Sequence, residues 1–169
     1  FSNEFIHARD QITGEHQFRL SAFLHVLATE MNVAHGFVPD FADEVALFGA
    51  LHDIGKIGVP DYVLLKPGRF EATDWEVMKT HVELGVALVE RMIDELQLHD
   101  APGVRTLQAA VGCHHEYLDG SGYPNGRHGH DIPLAARMVT TADIFDALTH
   151  YRPYKRPWRV DDAYDHLSG

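Results

Sequence analysis

Cysteine is almost absent from this 169-residue chain. The single one, Cys113, rules out an internal disulfide and suits a reducing compartment, so the expected location is the cytoplasm. Long apolar runs are missing as well. The longest, Val45 to Leu51, falls far short of the ~20 residues that a membrane-spanning helix needs. No basic-then-apolar leader opens the chain, so neither a signal peptide nor membrane contact is expected. Bases are scarce: 14 stand against 25 acids, a net charge of −11. Such a chain repels polyanions, which argues against coating bulk nucleic acid. A small anionic ligand stays admissible if metal ions and a few local bases reverse the field at one site. There is no internal repeat, no low-complexity stretch and no linker rich in Gly, Ser or Pro. Period-two alternation is scarce, so strands are not needed.

What is present reads as one all-α domain over residues 1–169, begun at Phe1 rather than Met and expected to be part of a longer protein. With 45% hydrophobic residues it can bury a core. Phe18, Ala22, Leu24, Val26, Leu27 and Met31 recur at helical spacing and predict a helix over 15–34. Asp40 is placed to cap a helix through Leu51, closed near Gly55 and Gly58. After a loop with Pro67 and Gly68, Thr73 and Glu76 read as a capping box for a helix to about Leu98. Further helices are expected from about Pro102 to His115, from Leu134 to Thr149, and from Val160 to Leu167. Asp119 to Pro133 reads as a long loop, dense in glycine (120, 122, 126 and 129).

Thirteen histidines in an acidic chain make metal binding worth testing. His52 and Asp53 are adjacent at a helix end, and Lys56 lies where a helical turn aims all three at one point. A carboxylate there suits a bridge between two divalent ions, and the lysine suits a phosphate. Solvated polar residues at a helix end explain the same dipeptide. His114 and His115 form a second pair at another helix end. His16, His81 and Asp143 each sit on a further helix, about one helix-plus-loop apart in sequence. A bundle can bring such residues to one interior point. Five histidines and two aspartates suit two octahedral ions better than one tetrahedral zinc. Taken singly, His16 or His81 is more often a surface or satisfied core histidine than a ligand. Asp143, inside the apolar stretch from Met138 to Leu148, asks for a partner, which a salt bridge or a metal supplies. Cys113 reads as a small buried residue rather than a redox centre. The bases Arg152, Lys155, Arg156 and Arg159 form the one dense basic patch, either solvated surface or a phosphate contact.

These residues resemble a family. The run His52-Asp53-Ile54-Gly55-Lys56 resembles the HD motif of the HD phosphohydrolase superfamily, and His114 through Pro124 (HHEYLDGSGYP) resembles the extended motif of its HD-GYP branch. The helix with Ala142 to Thr149, then Arg152-Pro153-Tyr154-Lys155, is similar to the segment that follows there. The resemblance covers about His16 to Pro157. It implies an HD helical bundle with an interior metal centre. His16, His52, Asp53 and Asp143 would bind one metal. Asp53 would bridge to a second, held also by His81, His114 and His115. Lys56 would serve catalysis beside Asp53 near the scissile phosphate, while Gly122, Tyr123, Arg152 and Lys155 would contact the substrate.

The activity so implied is metal-assisted hydrolysis of cyclic di-GMP or a related cyclic dinucleotide. The ions would be divalent transition metals, iron or manganese first, with nickel, cobalt or zinc as alternatives. An upstream sensor or receiver domain, and a homodimer, are the partners that the resemblance admits. One departure matters. Many members read Glu-Thr-Gly-x-His, with the glutamate helping to hold a third metal, whereas this chain reads Ile12-Thr13-Gly14-Glu15-His16. Two metals and the linear product pGpG are therefore expected, rather than three metals and GMP. The family segment beyond the last helix is also missing. Two rivals remain: a domain that binds metal or dinucleotide without turnover, and a phosphohydrolase of mononucleotides or other phosphate esters.

Overall fold

The computed structural model describes residues 14–36, 40–151 and 156–168. Among these residues eight α-helices run in chain order: α1 (Gly14–His35), α2 (Phe41–Gly49), α3 (Asp61–Leu64), α4 (Ala72–Lys79), α5 (His81–Glu95), α6 (Val104–Cys113), α7 (Leu134–Thr149) and α8 (Val160–Ser168). Two short 3-10 turns, Ile54–Gly58 and Gly129–Asp131, are also present among the described residues. Among the described residues there is no strand, only an isolated bridge between Asp119 and His128. The all-α expectation holds.

Helix α1 packs on α2 and α7, α6 packs on α2, α5 and α7, and the 54–58 turn lies against α5. The core follows helical rows. Leu20, Leu24 and Ala28 recur every fourth residue on α1 and are fully buried. They meet Val45 of α2, Ala110 of α6, and Ala136 and Val139 of α7. Full burial of each such leucine contributes roughly 1.5–3 kcal/mol. These rows also aim the polar residues. His16 stands four residues before Leu20, so it heads the buried row of α1. His81 likewise heads the row Gly85, Val89 and Ile93 on α5. Helical geometry thus carries two imidazoles inward at the ends of apolar stripes.

Several local expectations are corrected. Helix α2 ends at Gly49, not Leu51, and the chain continues through three-residue turns: His52 N–H donates to Gly49 O, and Lys56 N–H to Asp53 O. Asp40 holds the N-cap position without a side-chain cap, its carbonyl accepting from Glu44 N–H instead. The capping box before α4 joins Glu71 to Asp74, rather than Thr73 to Glu76. Asp74 accepts from Glu71 N–H at 2.7 Å and from Lys66 at 2.5 Å, which fixes the preceding loop. The long helix expected from Thr73 to Leu98 is divided at Thr80, whose N–H and hydroxyl both donate to Val77 O. That division lets His81 begin a helix of its own.

Candidate metal centre

Seven ionisable side chains from five regions of the chain converge inside the bundle. The ligand atoms of His16, His52 and Asp143 lie within 4.8 Å of one another, and so do those of Asp53, His81, His114 and His115. All are buried except the half-buried His115. Asp53 stands between the two groups and turns one oxygen to each. Its Oδ2 lies 3.2 Å from His52 Nε2, while its Oδ1 lies 3.3 Å from His81 Nε2 and 3.8 Å from His114 Nε2. Lys56 Nζ donates to Oδ2 at 2.6 Å.

The proton positions follow from the acceptors. His52 Nδ1 faces Gly49 O at 2.9 Å, His81 Nδ1 faces Met78 O at 2.7 Å, and His114 Nδ1 faces Ala110 O at 2.8 Å. A carbonyl only accepts, so each Nδ1 carries the hydrogen, and each ring in its neutral form turns a bare Nε2 inward. His81 Nε2 and His114 Nε2 approach to 3.3 Å. With both Nδ1 atoms protonated, this is a meeting of two lone pairs, and Asp53 Oδ1 adds a third electron-rich atom. His16 Nε2, His52 Nε2 and Asp53 Oδ1 are buried without a hydrogen-bond partner. Orphaned acceptors cost roughly 1–3 kcal/mol each unless something positive stands among them. The donor set and its inward lone pairs fit divalent ions bound by imidazole and carboxylate.

Burial sets the charge states. It pushes His81 down, and it holds His114 and His115 well below the ordinary imidazole range, the neighbouring imidazoles adding to the shift of the latter two. His52 moves the other way, because the Asp53 carboxylate outweighs the burial that opposes it. Asp53, although burial works against its charged form, is kept well below the carboxylate range by Lys56 and His52. Neutral His81, His114 and His115 around the charged Asp53 are in the state in which such residues ligate a cation.

The loop after His115 closes one side. Tyr123 stacks on the His115 ring at 4.5 Å and 22°, and its N–H donates to His115 O. Lys79 Nζ lies 5.8 Å from the Tyr123 ring. Gly122 is pressed against the backbone of residues 115–117, where a Cβ would collide with His115 O and Tyr117 N. Its lack of a side chain therefore serves packing against the metal-site turn. Arg152 and Lys155 lie outside the described residues. Of the other two bases in that patch, Arg156 is exposed, and Arg159 is exposed with Nη2 3.8 Å from Asp161.

Two buried carboxylates escaped the sequence reading. Glu116 accepts from the N–H groups of Asn125 and Arg127, both at 2.8 Å, and so ties the Tyr123 loop to the His114–His115 turn. Asp146 accepts from His16 Nδ1 at 2.7 Å and from Arg19 at 2.7 and 3.1 Å. The available signals were the acid directly after the histidine pair, and a second acid one turn beyond Asp143 in an apolar helix.

The chain is similar to known proteins. A family model described as an HD domain matches residues 4–169. The chain is 36% identical over 162 residues to a "3'3'-cGAMP-specific phosphodiesterase 2" of Vibrio cholerae, covering 96% of this chain and 29% of that protein. It is 37% identical over 164 residues to a "Cyclic di-GMP phosphodiesterase" of Thermotoga maritima, covering 95% of this chain and 42% of that protein. It is 42% identical over 128 residues to the "Cyclic di-GMP phosphodiesterase response regulator RpfG" of Xanthomonas campestris pv. campestris, covering 73% and 31%. The chain thus spans well under half the length of these curated relatives. Among solved structures, Bd1817, a HDG"Y"P protein from Bdellovibrio bacteriovorus, shares the fold with a TM-score of 0.60 at 22% identity, over 82% of this chain and 42% of that one. Together with the His52–Asp53 pair at the centre of the site, these matches place the chain in the HD-domain family.

Proposed function

We propose that this chain is the catalytic domain of a cyclic-dinucleotide phosphodiesterase that opens cyclic di-GMP to linear pGpG at a centre of two divalent ions. The observation that carries this reading is the division of Asp53, one oxygen facing His52 and the other facing His81 and His114. In the reading, His16, His52, Asp53 and Asp143 hold one ion, and Asp53, His81, His114 and His115 hold the other. When bound, such a pair acidifies a water and draws charge from the phosphoryl oxygens.

The residues supply the remainder. The backbone carbonyls behind His52, His81 and His114 keep those rings in one tautomer, so no reorganisation precedes the reaction. Lys56, already charge-paired at Asp53, is positioned to turn its ammonium to a scissile phosphate or a departing oxygen, the preorganised electrostatic help that lowers such barriers most. Tyr123, fixed on His115, offers the edge of the loop to the substrate, with Gly122 beside it. Arg152 and Lys155 complete the proposed phosphate contacts.

Relatives named for cyclic di-GMP and for 3'3'-cGAMP both support a cyclic dinucleotide as substrate. Iron or manganese are the proposed ions. One relative is named a response regulator, which supports an upstream receiver or sensor domain. The proposed location is the cytoplasm, whose reducing conditions suit a single buried, free cysteine, Cys113; no helix among the described residues is long and apolar enough to cross a membrane.

The test is turnover of cyclic di-GMP and 3'3'-cGAMP by anaerobically purified protein loaded separately with ferrous iron and manganese, with products separated by chromatography. Accumulation of pGpG that vanishes in Asp53→Ala is the expected result. Bound metal and bound dinucleotide without turnover would leave a receptor instead.

A further inference from the structure

We propose that Asp146 is a positioning residue that sets the tautomer and basicity of His16, and that Arg19 is what assigns it this role. The inference rests on the metal-centre reading above.

The imidazole of His16 is bracketed by two carboxylates one turn apart on α7. Its Nε2 lies 3.6 Å from Asp143 Oδ1, and its Nδ1 lies 2.7 Å from Asp146 Oδ2. The rings of His52, His81 and His114 each turn Nδ1 to a backbone carbonyl three or four residues earlier. His16 stands in the first turn of α1, and a carboxylate takes the place of that carbonyl. A carboxylate behind a ligating imidazole fixes the ring and makes its other nitrogen a stronger donor.

Asp143 and Asp146 have the same chemistry and similar burial, so something must separate ligand from support. Arg19, one turn after His16 on α1, clamps Asp146 with Nε on Oδ1 at 2.7 Å and Nη2 on Oδ2 at 3.1 Å. His150 Nδ1 stands a further 3.0 Å from Oδ1. Both oxygens of Asp146 are thereby engaged with donors, and neither is left to turn toward an ion. The row His16–Arg19 on α1 meets the row Asp143–Asp146 on α7, so a single helix pair builds both the ligand and its support.

The test has two readouts besides activity. In the metal-free wild type, nitrogen-15 NMR of the histidine rings is expected to find His16 protonated at Nδ1 and bare at Nε2. A ring protonated at Nε2 would overturn the proposal without any variant. Manganese titration of the wild type and of D146N, at matched thermal stability, is the second. Two binding steps are expected in the wild type. In D146N one step should weaken by about 10–100-fold while the other is unchanged, and the His16 ring should populate both tautomers. Equal binding at both steps in D146N would overturn the role of Asp146. A wild type that binds no manganese, cobalt or ferrous iron would instead overturn the metal-centre reading, and this role with it.

Discussion

Gly55 lies backbone-to-backbone against Gly85. A Cβ at Gly55 would fall on His81 O and on the Gly85 amide, whereas a Cβ at Gly85 would meet mainly Val111 Cγ1, at 2.7 Å. This contact brings the turn that carries Asp53 against the helix that begins with His81. Gly55→Ala forces the backbones apart and is expected to destabilise the fold by at least about 1–3 kcal/mol. Urea denaturation would measure the loss. Gly85→Ala should cost less, because its nearest neighbour is the end of a side chain rather than backbone. Metal titration of Gly55→Ala should show weaker binding, since the Asp53–His81 separation widens.

Lys56 and Asp53 form a buried pair, 5% and 9% exposed. Removing one partner strands the other in a poor solvent. Lys56→Met is expected to destabilise the metal-free protein by about 3–5 kcal/mol. Manganese should restore much of that stability, because the cation takes over the compensation of Asp53. Turnover should stay low even when the metal is restored. Thermal melts with and without manganese, set beside turnover, separate the two roles of the lysine. Equal melting of variant and wild type without metal would show that the pair adds nothing to stability.

The seven side chains that converge in the bundle were legible as candidates because they are residue types otherwise rare together. Two adjacent pairs, His52–Asp53 and His114–His115, mark helix ends, and Asp143 interrupts an apolar helix. Glu116 and Asp146 were not legible in the same way. Their partners are the amides of Asn125 and Arg127, and the side chains of His16 and Arg19, and such pairings exist only after the chain is folded. The division at Thr80 was hidden because the apolar period continues through it. The capping box was misread for a related reason. Thr73 and Glu76 have the ideal residue types, but Asp74, held by Lys66, forms the box two residues earlier with Glu71.

Glu116 anchors the loop that bears Tyr123 by accepting two backbone N–H groups. A glutamine there accepts one and turns its own N–H₂ toward the other. Glu116→Gln is therefore expected to cost about 1–3 kcal/mol, the penalty of one unsatisfied buried donor. The effect should be local. Amide hydrogen exchange at Asn125 and Arg127 should accelerate while the core amides of α1 and α7 keep their protection. Uniform acceleration across the chain would mean that Glu116 supports the whole fold rather than the loop.

Acid should destabilise the metal-free protein in a definite window. Burial pushes His81, His114 and His115 down, so in the folded state they stay neutral at pH values where unfolded histidines, with a pKa of ~6.5, take up protons. The unfolded chain then binds more protons, and stability falls as pH drops below that value. His52 has the opposite sign. Its raised pKa gives stability that is fully present below the unfolded value and is lost as pH rises through the folded one. Three shifts oppose one, so urea denaturation is expected to show a net decline from pH 7 to pH 5. Further loss should follow below the carboxylate range, as Asp53 and Asp146, both lowered, are protonated. The same order governs metal release. His52 holds a proton at higher pH than His81, His114 and His115, so the half to which His52 belongs should release its ion first on acidification. Manganese binding followed by titration calorimetry at steps of pH should therefore lose one step before the other. Simultaneous loss of both would mean that Asp53 couples the two halves more tightly than the proton competition at His52 separates them.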